Sequence, residues 1–398
     1  MGKIGFVIPW YGESDPDGIE MELHQLAAHL QQAGTDVEIL TTCIQNAHSD
    51  RNVSYYAAGS SLVDDIPVLR FPVEQSDTAL FTQVEKKLLS GRRLSTVEER
   101  TYIEESVYSP GLQDYLRGAS RDYDFYVFLP YGFATTYFGM QLFPEKSILM
   151  PCFMDEPAMT LRLFRQTYVR ARAMLYHTPW EMELAGHVYD FSTTAQFVMG
   201  MGVDTDIHAD PMHFKETYGI RRPFLLYVGK KTAEKNVPLM LRYFAEYKSR
   251  HPRSVLQLVL LGAGNAEVPE SVQEDVYDLG YVSDQDKYDA MAAAVALWQP
   301  STHERFSGVL LESWLCGTPC IVSARCPVTR TMAKASNGGL YYRDYFEFEG
   351  SVEYYANHAE QRLILGENGK AYAESQYSWD VVTQRVQEFF KKVLEGEI

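Results

Sequence analysis

Short apolar runs alternate with amphipathic helical stretches along the whole chain, and this alternation restricts the fold more than any other feature. Runs of strand length stand at residues 4–8, 37–41, 68–71, 125–129, 147–150, 174–176 and 196–198. A second series stands at 224–228, 256–261, 276–279, 295–298, 320–322 and 339–341. Between them lie stretches such as 19–32, where Leu23, Leu26, Ala27 and Leu30 recur at helical spacing and Gly34 supplies a stop. Strand and helix in strict alternation predict parallel sheets with helices on both faces, an α/β class. The stretch 199–214, MGMGVDTDIHADPMHF, has no periodicity and is rich in Gly, Asp and Pro. It reads as a linker between two doubly wound domains, 1–205 and 206–378. A length of 398 residues suffices for two such cores.

Composition removes several function classes. The net charge of −17 argues against nucleic acid as a partner, because phosphate backbones need a basic face. One local patch, Lys86, Lys87, Arg92 and Arg93, reads first as a solvated helix end, and it leaves a peripheral membrane contact open. No stretch of about 20 apolar residues is present, and the first apolar run is too short for a signal peptide. The five cysteines form no zinc-ligand set, so free thiols in a reducing cytoplasm are expected, with attachment to the inner face of the membrane left open.

The segment 301–319, STHERFSGVLLESWLCGTP, carries the chemistry. Glu304 stands in a polar loop after the run 295–298, and Glu312 inside a helical stretch, 306–316. A strand, a loop and a helix N-terminus form an anion site in α/β proteins, since unpaired backbone N–H groups point outward there. Two acids at such a place suit a nucleotide-sugar: N–H groups take phosphates, carboxylates take hydroxyls. In isolation the pair would read as one surface acid and one helix acid.

The segment resembles the signature of retaining glycosyltransferases of family 4, two-domain GT-B enzymes of the glycosyl transferases group 1. Pro300, Ser301, Glu304, Phe306, Leu311, Glu312, Gly317, Thr318 and Pro319 match that pattern in order. Arg305 and Ser307 replace two of its glycines. Upstream, LYVGKKTAEK at 226–235 resembles the family's phosphate-binding element, VLLGAG at 259–264 its strand and Gly turn, and LGYVS at 279–283 its base-binding loop. DGIEMELHQLAAHL at 17–30 resembles the N-terminal Gly-rich loop and first helix, with Asp17 in place of the first glycine. Several motifs in register are far more specific than any one of them. The Asp204-Thr205-Asp206 triplet is set aside as a metal motif, because such motifs belong to the other major transferase fold.

The resemblance implies a role for each residue. Lys230 and Lys235 neutralise the donor diphosphate, with Lys230 standing where the family has Arg. Glu304 holds hydroxyls of the transferred sugar, and Glu304, Lys235 and Lys230 form the catalytic set. Glu312 accepts from both ribose hydroxyls. Gly18, Gly229 and Gly264 let backbone approach the donor, Val282 marks the base loop, and the N–H groups of Phe306, Ser307 and Gly308 face the sugar and distal phosphate, with Arg305 beside them. On the acceptor side stand Tyr131 and, in PCFMDEP at 151–157, Met154, Asp155 and Glu156. Met154 replaces the family's His and cannot donate a hydrogen bond or titrate.

The resemblance implies a GT-B fold of two Rossmann-like domains facing a cleft, with the C-terminal helix 379–398 crossing back to the first domain. The expected activity is metal- and cofactor-independent transfer of a hexose, with retention, from a nucleotide-sugar (UDP favoured over GDP) to a glycan or lipid-linked glycan in cell-surface polysaccharide synthesis. The alternative is a nucleotide-sugar-binding partner subunit that does not catalyse. A GT-B epimerase or phosphorylase ranks last. Sequence leaves the oligomeric state open.

Overall fold

The computed structural model describes residues 2–12 and 18–397. Asp17 lies outside the described residues. The chain divides into two units, Met1–Gly202 with Val382–Ile398, and Val203–Val381.

The first unit is built on an eight-stranded sheet. Its strands are β1 (Lys3–Val7), β2 (Val37–Thr42), β3 (Gly59–Val63), β4 (Ile66–Phe71), β5 (Tyr123–Phe128), β6 (Ser147–Leu149), β7 (Ala173–Tyr176) and β8 (Ala195–Val198). They lie in the order β3-β4-β2-β1-β5-β6-β7-β8. All pairs are parallel except β3 with β4. Central β1 is buried along nearly its whole length, with Ile4 opposite Val37 on one side and Phe125 on the other. This is why it reads as a continuous apolar run. β3 is the strand that apolar patterning does not find: it is a polar edge strand with four of its five residues exposed.

The second unit carries β9 (Phe224–Val228), β10 (Gln257–Leu261), β11 (Val276–Gly280), β12 (Ala296–Gln299), β13 (Cys320–Ser323) and β14 (Gly339–Tyr342). Their order is β11-β10-β9-β12-β13-β14, all parallel. Counted from its own first strand this is 3-2-1-4-5-6, the doubly wound dinucleotide-binding order. Trp298 of β12 stacks on Phe348 with ring centroids 4.1 Å apart, anchoring one helical layer to the sheet.

The last helix, Trp379–Glu395, returns to the first unit through its apolar stripe. Phe389 stacks on Phe197 at 4.7 Å, and Val382, Val386, Phe390 and Val393 are buried. Arg385 Nη1 donates to the Met199 carbonyl at 2.8 Å, and Arg172 Nη2 to that of Val393 at 2.9 Å. The five cysteines are free thiols, four of them buried. Among the described residues, no helix is long and apolar enough to cross a membrane.

Candidate functional site

In a doubly wound sheet, ligands bind beyond the carboxyl ends of the strands where the strand order reverses. In the second unit that point lies between β9 and β12, and the loops leaving these strands hold the motif residues. Lys235, from the loop after β9, places Nζ 2.7 Å and 2.8 Å from the two carboxylate oxygens of Glu304, from the loop after β12. Asn236 ties the same loops together by donating from Nδ2 to the Pro300 carbonyl at 3.1 Å. Its φ of +62 marks a tight turn before the helix Val237–Arg250. The Glu304 side chain is 10% exposed and that of Lys235 34%. Lys230 and Arg305 are exposed.

The glycines shape the strand ends. Gly229 has φ +152, Gly262 +116 and Gly264 +93, a region that L side chains rarely adopt. A Cβ on Gly262 would stand 2.3 Å from the Gly229 carbonyl oxygen, so the loops after β9 and β10 touch backbone to backbone. Beneath them Lys231, its side chain 1% exposed, forms an ion pair with Asp278 of β11. This buried lysine locks three successive strand ends together. Sequence alone could not separate it from its neighbour Lys230: two adjacent lysines look alike until the loop turns one inward.

The helix Gly308–Leu315 starts with Ser307 as N-cap, whose side chain makes no capping bond. Among the described residues, the N–H groups of Phe306, Ser307 and Gly308 have no acceptor, as expected for the first turn of a helix. Glu312 neither caps nor bridges within its own helix. Its Oε1 accepts from Lys287 Nζ at 3.0 Å, across to the helix Asp284–Ala293. Burial pushes the Glu312 carboxyl up, against the pull of Lys287. Burial alone would lower the Lys287 ammonium, but Glu312 reverses this and raises it. Val282 lies in the turn before that same helix, which Ser283 caps. The structure therefore brings Lys235, Glu304 and the bare N–H groups together, with Glu312 one turn into the helix. Lys287 was missed because nothing in the sequence marks one surface-type lysine among many.

The described residues contain one cluster with metal-like spacing, His213, Asp286 and Asp289. Its geometry is that of a helix lock. Asp289 accepts from His213 Nδ1 at 2.8 Å, the Asp210 N–H at 2.7 Å and Gln285 Nε2 at 2.8 Å, which occupies both of its oxygens.

In the first unit the strand order reverses between β1 and β5. Gly18 is exposed at the start of the helix Gly18–Gln32, with open space where a Cβ would stand. Tyr131 is 4% exposed and packs at 4.9 Å on Phe153. Its hydroxyl donates to Oε1 of the exposed Glu156 at 2.6 Å. Asp155 and Glu156 are exposed and Met154 half-buried. The loop is held by Glu181, whose Oε1 accepts from the Phe153 N–H at 2.7 Å. Glu181 also faces His177 Nδ1 at 3.2 Å, while His177 Nε2 stands 2.6 Å from Glu22 of the first helix. Burial alone would keep this imidazole neutral. The charges of Glu22 and Glu181 outweigh it and push the pKa up to about 10.

Residues 210–372 match the family described as glycosyl transferases group 1, a span covering nearly all of the second unit. The second unit is therefore similar to the glycosyl transferases group 1. Relatives extend the likeness across both units: a D-inositol 3-phosphate glycosyltransferase of Saccharomonospora viridis is 23% identical over 407 residues, 96% of this chain and 91% of that protein. The chain spans about half the length of two other curated relatives, 50% of an uncharacterized glycosyltransferase of Methanocaldococcus jannaschii and 56% of a D-inositol 3-phosphate glycosyltransferase of Frankia alni. Among solved structures, sucrose-phosphate synthase from Thermosynechococcus elongatus aligns with a TM-score of 0.67 at 15% identity, covering 100% of both chains. HepE of Anabaena, solved in complex with UDP, aligns with a TM-score of 0.71 at 13% identity over 98% of this chain and 100% of that one. These likenesses establish the GT-B fold, with two parallel-sheet α/β units as the alternation of elements predicts.

Proposed function

We propose that the chain is a group 1 glycosyltransferase that moves a hexose from a UDP-sugar to a glycan or lipid-linked glycan, with retention and without a metal. The reading places it in the cytoplasm, at or near the inner face of the membrane, in cell-surface polysaccharide synthesis. The second unit takes the donor and the first supplies the acceptor side. The observation that carries this reading is the Lys235–Glu304 pair at the strand-order reversal, beside the uncapped helix start at Ser307. Lys235 and Lys230 neutralise the diphosphate, Glu304 and the N–H groups from Phe306 to Gly308 orient the sugar, and Glu312 holds the ribose. The anomeric C–O bond to the distal phosphate breaks and the acceptor oxygen bonds to that carbon on the same face. The acceptor proton passes to the leaving phosphate oxygen, so no enzymatic base is needed. Rate then comes from positioning and from fixed positive charge where negative charge develops.

The test is a panel of nucleotide-sugars and acceptors in EDTA, with product stereochemistry read by NMR. Retained configuration in EDTA supports the reading. A strict requirement for added divalent metal, or an inverted product, sinks it.

Met154 where the resembled pattern has His, and Arg305 and Ser307 where it has glycine, favour a second reading: a partner subunit that binds the donor without turnover. Binding by calorimetry with no release of sugar after prolonged incubation would select it, and slow sugar release excludes it.

A further inference from the structure

The first unit holds a cavity of 570 Å³ whose walls bring together Arg92, Arg93, Arg162 and Arg165. The first two come from the turn before the helix Thr96–Glu104, the last two from the helix Arg162–Tyr168. In a chain with 53 acidic against 36 basic residues, guanidinium groups ordinarily find carboxylates. Among the described residues these four form no ion pair, whereas their neighbour Lys87 is paired with Glu98 at 2.5 Å. Glu99 is the one carboxylate on the cavity wall; it is 8% exposed, and its Oε2 is occupied by the Leu163 N–H at 2.9 Å. Arg162 is set in place by a bond from Nη2 to Thr96 Oγ1 at 2.8 Å. Four exposed arginines therefore line one space that holds a single carboxylate, Glu99. Guanidinium forks match the oxygens of a phosphate two at a time, and the volume falls within the range of small-molecule sites, roughly 300–1,000 Å³.

We propose that this cavity binds a phosphate-bearing ligand, held by the four arginines. It is distinct from the donor site of the second unit and does not depend on that reading, since it is tested by binding rather than by turnover. Two sources present the same chemistry: a soluble phosphorylated sugar, or the headgroup of an anionic lipid. Leu89 and Val97, flanking the cavity in sequence, are 66% and 74% exposed, which suits the lipid. Pro157 and Thr160 on the cavity wall follow directly on the Met154 loop, which suits the soluble phosphorylated sugar where that loop is the acceptor side, the one point that rests on the proposed function.

The full chain is titrated by calorimetry with inorganic phosphate, pyrophosphate and glucose 6-phosphate, and is co-sedimented with phosphatidylglycerol and phosphatidylcholine vesicles. Three variants accompany it: R92Q/R93Q, R162Q/R165Q, and R221Q/R222Q as a charge control on exposed arginines of the second unit. At least one probe should bind, with affinity reduced about tenfold or more in each of the first two variants and unchanged in the control. Capture by phosphatidylglycerol vesicles alone identifies the lipid source, and binding of the soluble phosphates without vesicle capture the sugar source. Failure of every probe to bind at millimolar concentration, or equal losses in all three variants, overturns the proposal.

Discussion

Lys235 Nζ bridges both carboxylate oxygens of Glu304, at 2.7 Å and 2.8 Å, across loops that leave the two strands where the order of the second sheet reverses. The cation assigned to the diphosphate and the acid assigned to the sugar thus neutralise one another. A donor would exchange one anion for another on Lys235 and leave Glu304 to turn to hydroxyls. Lys235→Ala should lower kcat by about two to three powers of ten, by analogy with removal of one transition-state donor. Lys230→Arg should be tolerated, because the exposed Lys230 side chain has room for a longer one. Steady-state kinetics on both variants, with circular dichroism to establish folding, decides this.

Glu312 should act on binding more than on rate. Ribose contacts are equal in ground and transition states, so Glu312→Ala should raise the donor KM about tenfold or more with a smaller change in kcat. Lys287→Met should raise it as well, since it leaves a buried carboxylate whose pKa is already raised by burial with no partner. Because protonation of Glu312 sets in at higher pH than for an ordinary glutamate, donor KM should climb as pH falls. In Glu312→Gln that climb should be absent. A KM–pH profile of both proteins reads it directly.

Gly262→Ala should damage the second unit out of proportion to one methyl group. The new Cβ would stand 2.3 Å from a backbone oxygen of Gly229, on a residue whose φ is +116. Backbone cannot move aside as a side-chain tip can, and alanine is strained at that φ. A loss of about 2 kcal/mol or more is expected in denaturant unfolding, together with weaker donor binding.

His177 ties stability to pH in the first unit. Its pKa in the folded protein is about 10, above the roughly 6.5 of an unfolded chain. The stabilisation is therefore fully present below pH about 6.5 and is lost as pH rises through about 10. Between pH 7 and 10 the melting temperature of the native protein should fall relative to that of His177→Gln. At pH 7, His177→Ala should cost about 3 kcal/mol, because Glu22 and Glu181 are left facing each other without a cation.

Most of the sheet architecture was legible because its strands are buried on both faces and so stand out as apolar runs. β3 escaped because a polar edge strand has no such run. The donor loop was legible because its acids, glycines and lysines are contiguous in sequence. The pairs that escaped join distant residues: Lys231 with Asp278, Lys287 with Glu312, and His177 with Glu22 meet only in the folded chain. His177 in particular looked like any single histidine, and its two acid partners come from two different helices. The arginine cavity was half legible, in Arg92 and Arg93. Arg162 and Arg165 lie about seventy residues away and join them only through tertiary packing.

The central claim is that the loops after β9 and β12 bind a nucleotide diphosphate-sugar through Lys235. The most direct measurement is the thermal shift of the native protein and of Lys235→Ala, in EDTA, across UDP, GDP, ADP and their sugars. A ligand that binds only the folded state stabilises it by about 2.7 kcal/mol at a hundred times its Kd. One nucleoside diphosphate and its sugar should raise the native melting temperature by several degrees, with most of that rise lost in Lys235→Ala. No shift with any nucleotide, or an equal shift in both proteins, would contradict the assignment of the donor site.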